Sequence, residues 1–438
     1  MKIPFARLLP VCFLLTLPVT AVAAEISVDS TTLIRFEQRD VTGSSKQNYV
    51  PATQFLGLDV DKLADGNLSL HLYGWGRYDL ADKSYNNDVA GGGFTYGYLQ
   101  YRFKNANADI RAGRFFVHEG IVNEQVDGVS FRTDLPLGFG VSAFGGATVH
   151  TKHLNGENSD GKGDTLFGGR ANYRYKGMLE LGLSGVYEGK APKMVNFTNG
   201  THRQVGGDIW FSPHRTVELM GHTSYNPVTN GVAEHSYLLN LKPLSNLTLS
   251  GTFNEQRAGS FFNSSSLFTK MPTFNPTDNS RSLGAIASYR VSKSVEVSTD
   301  YKHYSRDIGN ADRYGADLKV SLLKNMFRSG FGYHYLNADQ GFAVIGTSSS
   351  SYHELRGYAL YDTNTYFTSL DVIDYIFKSK VKNEKSAWEA TASLGYHITP
   401  ALAASGDISY GRNPDFVDET RGLIRLTYNM SFKSKGDK

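Results

Sequence analysis

From residue 25 to residue 432 the chain repeats one unit, an alternating apolar/polar segment of about ten residues closed by turn residues. The joins between segments alternate as well, one short and the next long. Short joins fall at Lys104–Ala108, Lys176–Gly177, Ser212–His214, Ser292–Ser294, Asp362–Asn364 and Thr399–Pro400. Long ones fall at Thr148–Asp164, Gly189–Thr201, Arg257–Ser280 and Asn337–Ser351. A water-soluble sandwich has no reason to sort its loops by parity. A closed sheet crossing a bacterial outer membrane does, because its periplasmic turns are short and its extracellular loops long.

The first 24 residues read as an export signal. Lys2 and Arg7 give a positive start, Leu8–Leu17 an apolar stretch, and Ala21-Val22-Ala23-Ala24 a small-residue cleavage site. The only cysteine, Cys12, lies inside that apolar stretch, so the exported chain is expected to hold no disulfide and no thiolate or haem-attachment motif. Without Lys2 and Arg7 the charge falls from +3 to about +1, and near-neutrality speaks against a nucleic-acid partner. No apolar run after the signal is long enough for a membrane helix. Only an alternating closed sheet can then pair every backbone amide in lipid.

Period-2 alternation predicts an all-β transmembrane antiparallel barrel occupying residues 25–438, with an even strand number of about 22 (range 18–22). The predicted strand cores are 31–39, 52–60, 67–79, 93–103, 109–116, 127–133, 139–147, 165–175, 179–188, 203–211 and 215–225. They continue at 232–242, 246–256, 281–291, 295–305, 312–323, 328–336, 352–361, 365–375, 387–397, 401–410 and 421–432. Residues His118–Gln125 read either as an extracellular loop or as an excursion into the barrel. In 281–291, Leu283, Ala285, Ala287, Tyr289 and Val291 share one face and Ser282, Gly284, Ser288 and Arg290 the other. Aromatics on the apolar face stand toward strand ends, among them Tyr78, Tyr173, Tyr289, Tyr333, Trp388 and Phe432, where interfacial girdles belong.

Parity then assigns the lumen. Its expected basic residues include Arg102, Arg111, Arg170, Arg174, Arg290 and Arg356, and its acidic ones Asp208, Glu218, Asp300 and Asp317. Arginines facing carboxylates across a constriction would orient polar solutes. The loop Arg257–Ser280 carries Phe261, Phe262, Phe268 and Phe274; exposed, they would be costly in water, so the loop is expected to enter the lumen or dock on a partner. The stretch Phe377–Ser386, with Lys378, Lys380, Lys382 and Lys385, suits a solvated hairpin tip bridging anionic lipopolysaccharide phosphates.

Two stretches carry a likeness to known proteins. Gly422, Ile424, Leu426, Tyr428, Met430 and Phe432 form an alternating apolar face that resembles the C-terminal assembly signal of outer-membrane barrels, although Lys433–Lys438 follow it. The run Ile110-Arg111-Ala112-Gly113-Arg114, followed by Asp127-Gly128, resembles a stretch of proteobacterial porins in which R-x-G-R ends a strand and D-G opens the return. That likeness implies that Arg111 and Arg114 border a pore, although simple parity points Arg114 toward lipid.

Chemistry has little purchase here. His235 and His303 fall on the lipid face without an assignable serine partner, and the remaining histidines show no metal-ligand spacing. The expected function is a porin for passive diffusion of small polar solutes or ions, not an enzyme, with no cofactor and no metal. Its expected partners are outer-membrane lipid, lipopolysaccharide and the solutes. A barrel sheathing a multihaem cytochrome is the alternative, since 22-stranded barrels are usually plugged and about six residues before strand one leave no room for a plug. A surface adhesin or receptor is a third reading.

Overall fold

The computed structural model of the protein describes residues 25–41, 47–81, 89–149, 165–189, 201–228, 230–257, 279–307, 309–339, 343–344, 347–348, 351–414 and 416–433. The export signal and the four phenylalanines between residues 258 and 278 lie outside these residues.

Among them is one closed antiparallel barrel of 22 strands, with a short additional strand, Gln47–Tyr49, paired to the first. In chain order the first eleven are Glu25–Val41, Pro51–Lys62, Leu68–Asp79, Ala90–Arg102, Ala108–Glu119, Val122–Asp134, Phe139–Thr148, Thr165–Tyr175, Leu179–Gly189, Thr201–His214 and Val217–Asn226. The rest are Gly231–Leu244, Leu247–Gln256, Ser280–Arg290, Val295–Arg306, Gly309–Leu322, Phe327–Ala338, Tyr352–Asp362, Tyr366–Val381, Glu384–Thr399, Leu402–Arg412 and Phe416–Lys433. Each of the 22 predicted cores falls on one of these strands, eight of them overrunning a strand end by one or two residues. The first and last close the wall, from Glu25 opposite Lys433 to Val41 opposite Phe416. Closure leaves no free edge at the seam, which a sheet in lipid requires.

The exposed large apolar side chains mark the outer face. Leu183 (72 %), Leu394 (64 %), Ile408 (61 %) and Leu283 (57 %) stand on it, at positions that a bilayer would cover. Aromatics crowd its two rims. Tyr101 and Phe103 meet edge to face at 5.2 Å, and Phe139 lies 5.0 Å from Tyr173, both near the short turns. At the opposite rim Tyr301 lies 5.3 Å from Tyr314, and Trp388 5.5 Å from Tyr410.

Several boundaries differ from expectation. The first strand starts at Glu25 rather than near residue 31, because Ile26 and Val28 continue the apolar face while Ser27 and Asp29 continue the polar one. Ser212–His214 is not a turn; the strand runs through it with an irregularity, and the chain reverses at Arg215–Thr216, where Nδ1 of His214 meets Oγ1 of Thr216 at 2.8 Å. The lysine stretch forms the expected hairpin tip, but its strands run further than expected. The strands Tyr366–Val381 and Glu384–Thr399 meet at Lys382-Asn383, both with positive φ, a tight turn whose twist matches the strands. Lys378, Lys380, Lys382 and Lys385 are exposed along this hairpin.

Candidate functional site

The barrel's main apolar core lies inside the lumen rather than in the wall. Phe115, Val117, Val122, Val126, Phe144, Leu166 and Val186 form a buried cluster, with Phe115, Val126 and Leu166 at most 1 % exposed. The first four belong to a hairpin, residues 115–126. The last three stand on three other wall strands at lumen parity, where a water-filled barrel calls for polar residues. The hairpin therefore folds inward and lies against the inner wall.

Its path can be followed by contacts. Pairing between the strands Ala90–Arg102 and Ala108–Glu119 stops at Gly97 opposite Arg114. Gly113, at φ +131°, makes the bend there. The tip, Gly120-Ile121, reaches strands three and four positions further round the wall. Ile121 N–H donates to Oγ of Ser184 at 3.1 Å, and the Ile121 side chain sits over Gly206. Oγ of Ser142 donates to the Glu119 carboxylate. The span from Val122–Asp134 to Thr201–His214 is four interstrand steps, about 19 Å of arc. Phe116 and His118, stacked at 5.8 Å, occupy the face of the hairpin turned from the wall.

Charged side chains surround the tip. Arg170 Nε donates to Oδ2 of Asp208 at 3.0 Å and its Nη2 to Oε1 of Glu180 at 2.9 Å. Arg174 Nε donates to the other Glu180 oxygen at 3.1 Å and Nη1 to Asp134 at 3.3 Å. The guanidinium of Arg170 lies flat above Gly182; a β-carbon there would stand 2.5 Å from Nε and 2.2 Å from Oδ2 of Asp208. A cavity of about 240 Å³ lies beside the tip, bordered by His118, Glu119, Arg132, Arg170, Arg174 and Glu180.

A second charged cluster lies elsewhere on the lumen face. His334, 6 % exposed, directs Nε2 to Asp300 at 3.0 Å and to Asp317 at 3.5 Å, with Nδ1 3.6 Å from Glu354. Arg313 bonds Asp300 at 2.8 Å and reaches Glu354 at 3.8 Å.

The other expected pore-lining residues are distributed as follows. Arg102 faces Asp109 in register, and Arg111 lies 5.8 Å from the Tyr98 ring. Arg290 ends its strand opposite Glu296, and Arg356 is exposed opposite Gly332. Glu218 accepts from Trp210 Nε1 at 3.2 Å and from Asn240 at 3.3 Å. Arg114 differs from the rest. It keeps the parity of Ile110 and Ala112, grips Asp127 with two bonds of 2.7 Å, and donates to the Phe94 carbonyl at 2.9 Å. The two ends of the porin-like stretch, R-x-G-R and D-G, are thus the two legs of the hairpin's base. On the lipid side, His303 bonds Asp312 at 2.8 Å and His235 meets the Thr223 hydroxyl at 2.7 Å.

Sequence reading passed over Phe144, Leu166 and Val186. Their signal was available: three apolar residues at lumen parity on neighbouring strands. Parity locates apolar residues at lumen positions as readily as charged ones.

No family model matches the chain, and no curated protein is similar to it in sequence. Solved structures share the fold. A mutant of the ferric enterobactin receptor PfeA of Pseudomonas aeruginosa matches at 11 % identity over 94 % of this chain and 81 % of the receptor, TM-score 0.55. OccAB4 of Acinetobacter baumannii matches at 10 % identity over 95 % and 100 % of the two chains, TM-score 0.48. The outer membrane protein OpdK of P. aeruginosa matches at 12 % identity over 93 % and 99 %, TM-score 0.43. At 11 % identity the likeness to the receptor speaks for the fold alone. The closed strand count, the apolar outer face and the aromatic rims make the chain a transmembrane antiparallel β-barrel.

Proposed function

We propose that this barrel is a passive diffusion channel for small polar solutes or ions, exported through a cleaved signal at residues 1–24. The observation that carries the reading is the inward hairpin, whose tip crosses four strands and is tied by Ser142 and Ser184. A 22-strand wall is wide enough to need an internal obstacle if it is to select by size. The chain supplies one from its own sequence. Around it Arg111, Arg132, Arg170 and Arg174 confront Glu119, Glu180 and Asp208, so a passing solute meets both signs of charge at short range.

Cation and anion are held by the wall rather than consumed, which suits selection without chemistry. Outer-membrane lipid covers the apolar face, and the lysine hairpin suits phosphates of lipopolysaccharide. A sheath for a multihaem cytochrome gains nothing from this geometry, because the hairpin lies in the volume that a threaded partner would need.

The test is reconstitution. Purified barrel in a planar bilayer should give discrete conductance steps, and liposomes carrying it should swell in small sugars. Replacing Phe115–Val126 by a short glycine turn should enlarge the steps. Silent bilayers from folded barrel would retire the proposal.

A further inference from the structure

The inward hairpin leaves the wall incomplete. Strand Ala90–Arg102 is paired to Leu68–Asp79 along its length, but on its other side only Gly97–Arg102 find a strand partner. From Ala90 to Tyr96 that edge has no neighbouring strand among the described residues, because the two legs that would cover it have turned inward. Arg114 lies six residues along its strand from Ala108, which places the gap about 15 Å up a tilted wall, within the hydrocarbon layer.

Backbone at that depth tolerates an open edge only where protein buries it or water reaches it. Protein covers part of it. The Phe94 carbonyl accepts from Arg114, and the Thr95 carbonyl from the Gln125 amide. Both donors are side chains, so the seam is closed by groups that swing on rotamers rather than by a β ladder. Arg114 is held in place by Asp127, itself on the outer parity of the hairpin base.

Aromatic rings lead to this seam from within. Tyr73 stacks on Tyr96 at 5.4 Å, Tyr96 lies 6.1 Å from Tyr98, and Tyr98 meets Phe115 edge-on at 6.4 Å. On the outer side of the same strand a bulge at Thr95 puts Phe94, half exposed, over Gly97. Aromatic rings thus line the seam from lumen to lipid face, and its polar groups are tyrosine hydroxyls, the Gln125 amide, the backbone carbonyls of Phe94 and Thr95 and the Arg114–Asp127 ion pair.

We propose that this seam is a lateral opening latched by Arg114 and Asp127, through which amphipathic solutes bearing an aromatic ring pass between lumen and bilayer. The route needs a lumen that solute can enter, and in that respect rests on the channel reading. Polar solutes would continue down the lumen, whereas a solute with an apolar ring has a lined path sideways.

The experiment uses intact Gram-negative cells expressing the full chain. N-phenyl-1-naphthylamine, which fluoresces on reaching the membrane interior, reports the sideways path, and periplasmic hydrolysis of nitrocefin reports the lumen. A Thr95→Cys, Gln125→Cys pair staples the seam without a competing thiol if Cys12 leaves with the signal. Oxidised, the stapled barrel should lose the naphthylamine signal to the level of cells lacking the barrel while nitrocefin entry persists; reduction should restore it. Asp127→Ala, which frees the latch, should raise naphthylamine entry above wild type. Equal naphthylamine entry in oxidised and reduced cells overturns the opening, as does loss of both probes together, which would mean that the staple shuts the lumen. Naphthylamine entry that follows the staple while nitrocefin stays at background would keep the opening and retire the diffusion channel.

Discussion

A β-carbon on Gly113 would stand 2.2 Å from the carbonyl oxygen of Gly97, its register neighbour's predecessor across the sheet, while Gly113 itself holds φ at +131°. Both facts exclude any other residue at the bend. Gly113→Ala must either push the two strands apart or straighten the leg, so that the hairpin no longer enters the lumen. Strain at a positive φ alone costs about 1–3 kcal/mol. The expected result is a smaller folded fraction by heat-modifiable gel mobility, and larger, noisier conductance steps from the barrels that fold. Wild-type steps from a well-folded Gly113→Ala barrel would show that the bend does not depend on glycine.

Docking of the hairpin rests on apolar burial rather than on its few hydrogen bonds. Val126 is fully buried and Val122 3 % exposed, against Phe144, Leu166 and Val186. Full burial of one such side chain is worth about 1.5–3 kcal/mol, and an unpaired carboxylate there costs more. Val126→Asp should therefore undock the hairpin and raise mean conductance. Phe116→Asp, on the face turned from the wall, should leave the docking intact. A conductance unchanged by Val126→Asp would place the obstacle elsewhere.

How far the fold could be read follows from what the bilayer enforces. Each strand announces itself because one face must be apolar and the other wet, a period-2 signal that survives in all 22. The signal fades where lipid ends. Lys378 and Lys380 continue a strand in water, where nothing demands alternation, so the sequence reads as hairpin tip what the sheet extends to Val381. The inward hairpin was half legible. His118–Gln125 was open to an excursion, but its direction depended on Leu166 and Val186, distant in sequence and adjacent only once the barrel closes. Charge pairing was the least legible part. Arg170 meets Asp208 across an intervening strand only because Gly182 carries no side chain, a relation that needs the register.

Arg170 is 13 % exposed and Asp208 16 %, so this pair is shielded from bulk water. Arg170→Ala strands two carboxylates, those of Asp208 and Glu180, beside the constriction. Leaving a buried charged acceptor without its donor costs about 1–3 kcal/mol. The barrel should lose stability toward denaturant, and its permeability ratio should shift toward cations in a salt gradient. Arg170→Lys keeps the charge but not the two-pronged grip. It should preserve selectivity better than stability. An unchanged reversal potential in Arg170→Ala would exclude this wall from the selecting region.

The cluster around His334 supplies a comparison at a second place on the lumen face. Three carboxylates, of Asp300, Asp317 and Glu354, converge on one imidazole and one guanidinium. Arg313 bonds Asp300 and reaches Glu354, both well shielded from bulk water. Arg313→Gln leaves these two carboxylates without their cation, and stranding a buried charged acceptor costs about 1–3 kcal/mol. The expected result is a lower denaturation midpoint and a permeability ratio shifted toward cations. Arg313→Lys keeps the charge but cannot serve both carboxylates with a planar fork, so it should restore the ion preference better than the midpoint. An unchanged midpoint in Arg313→Gln would show that Arg313 holds no part of the cluster together.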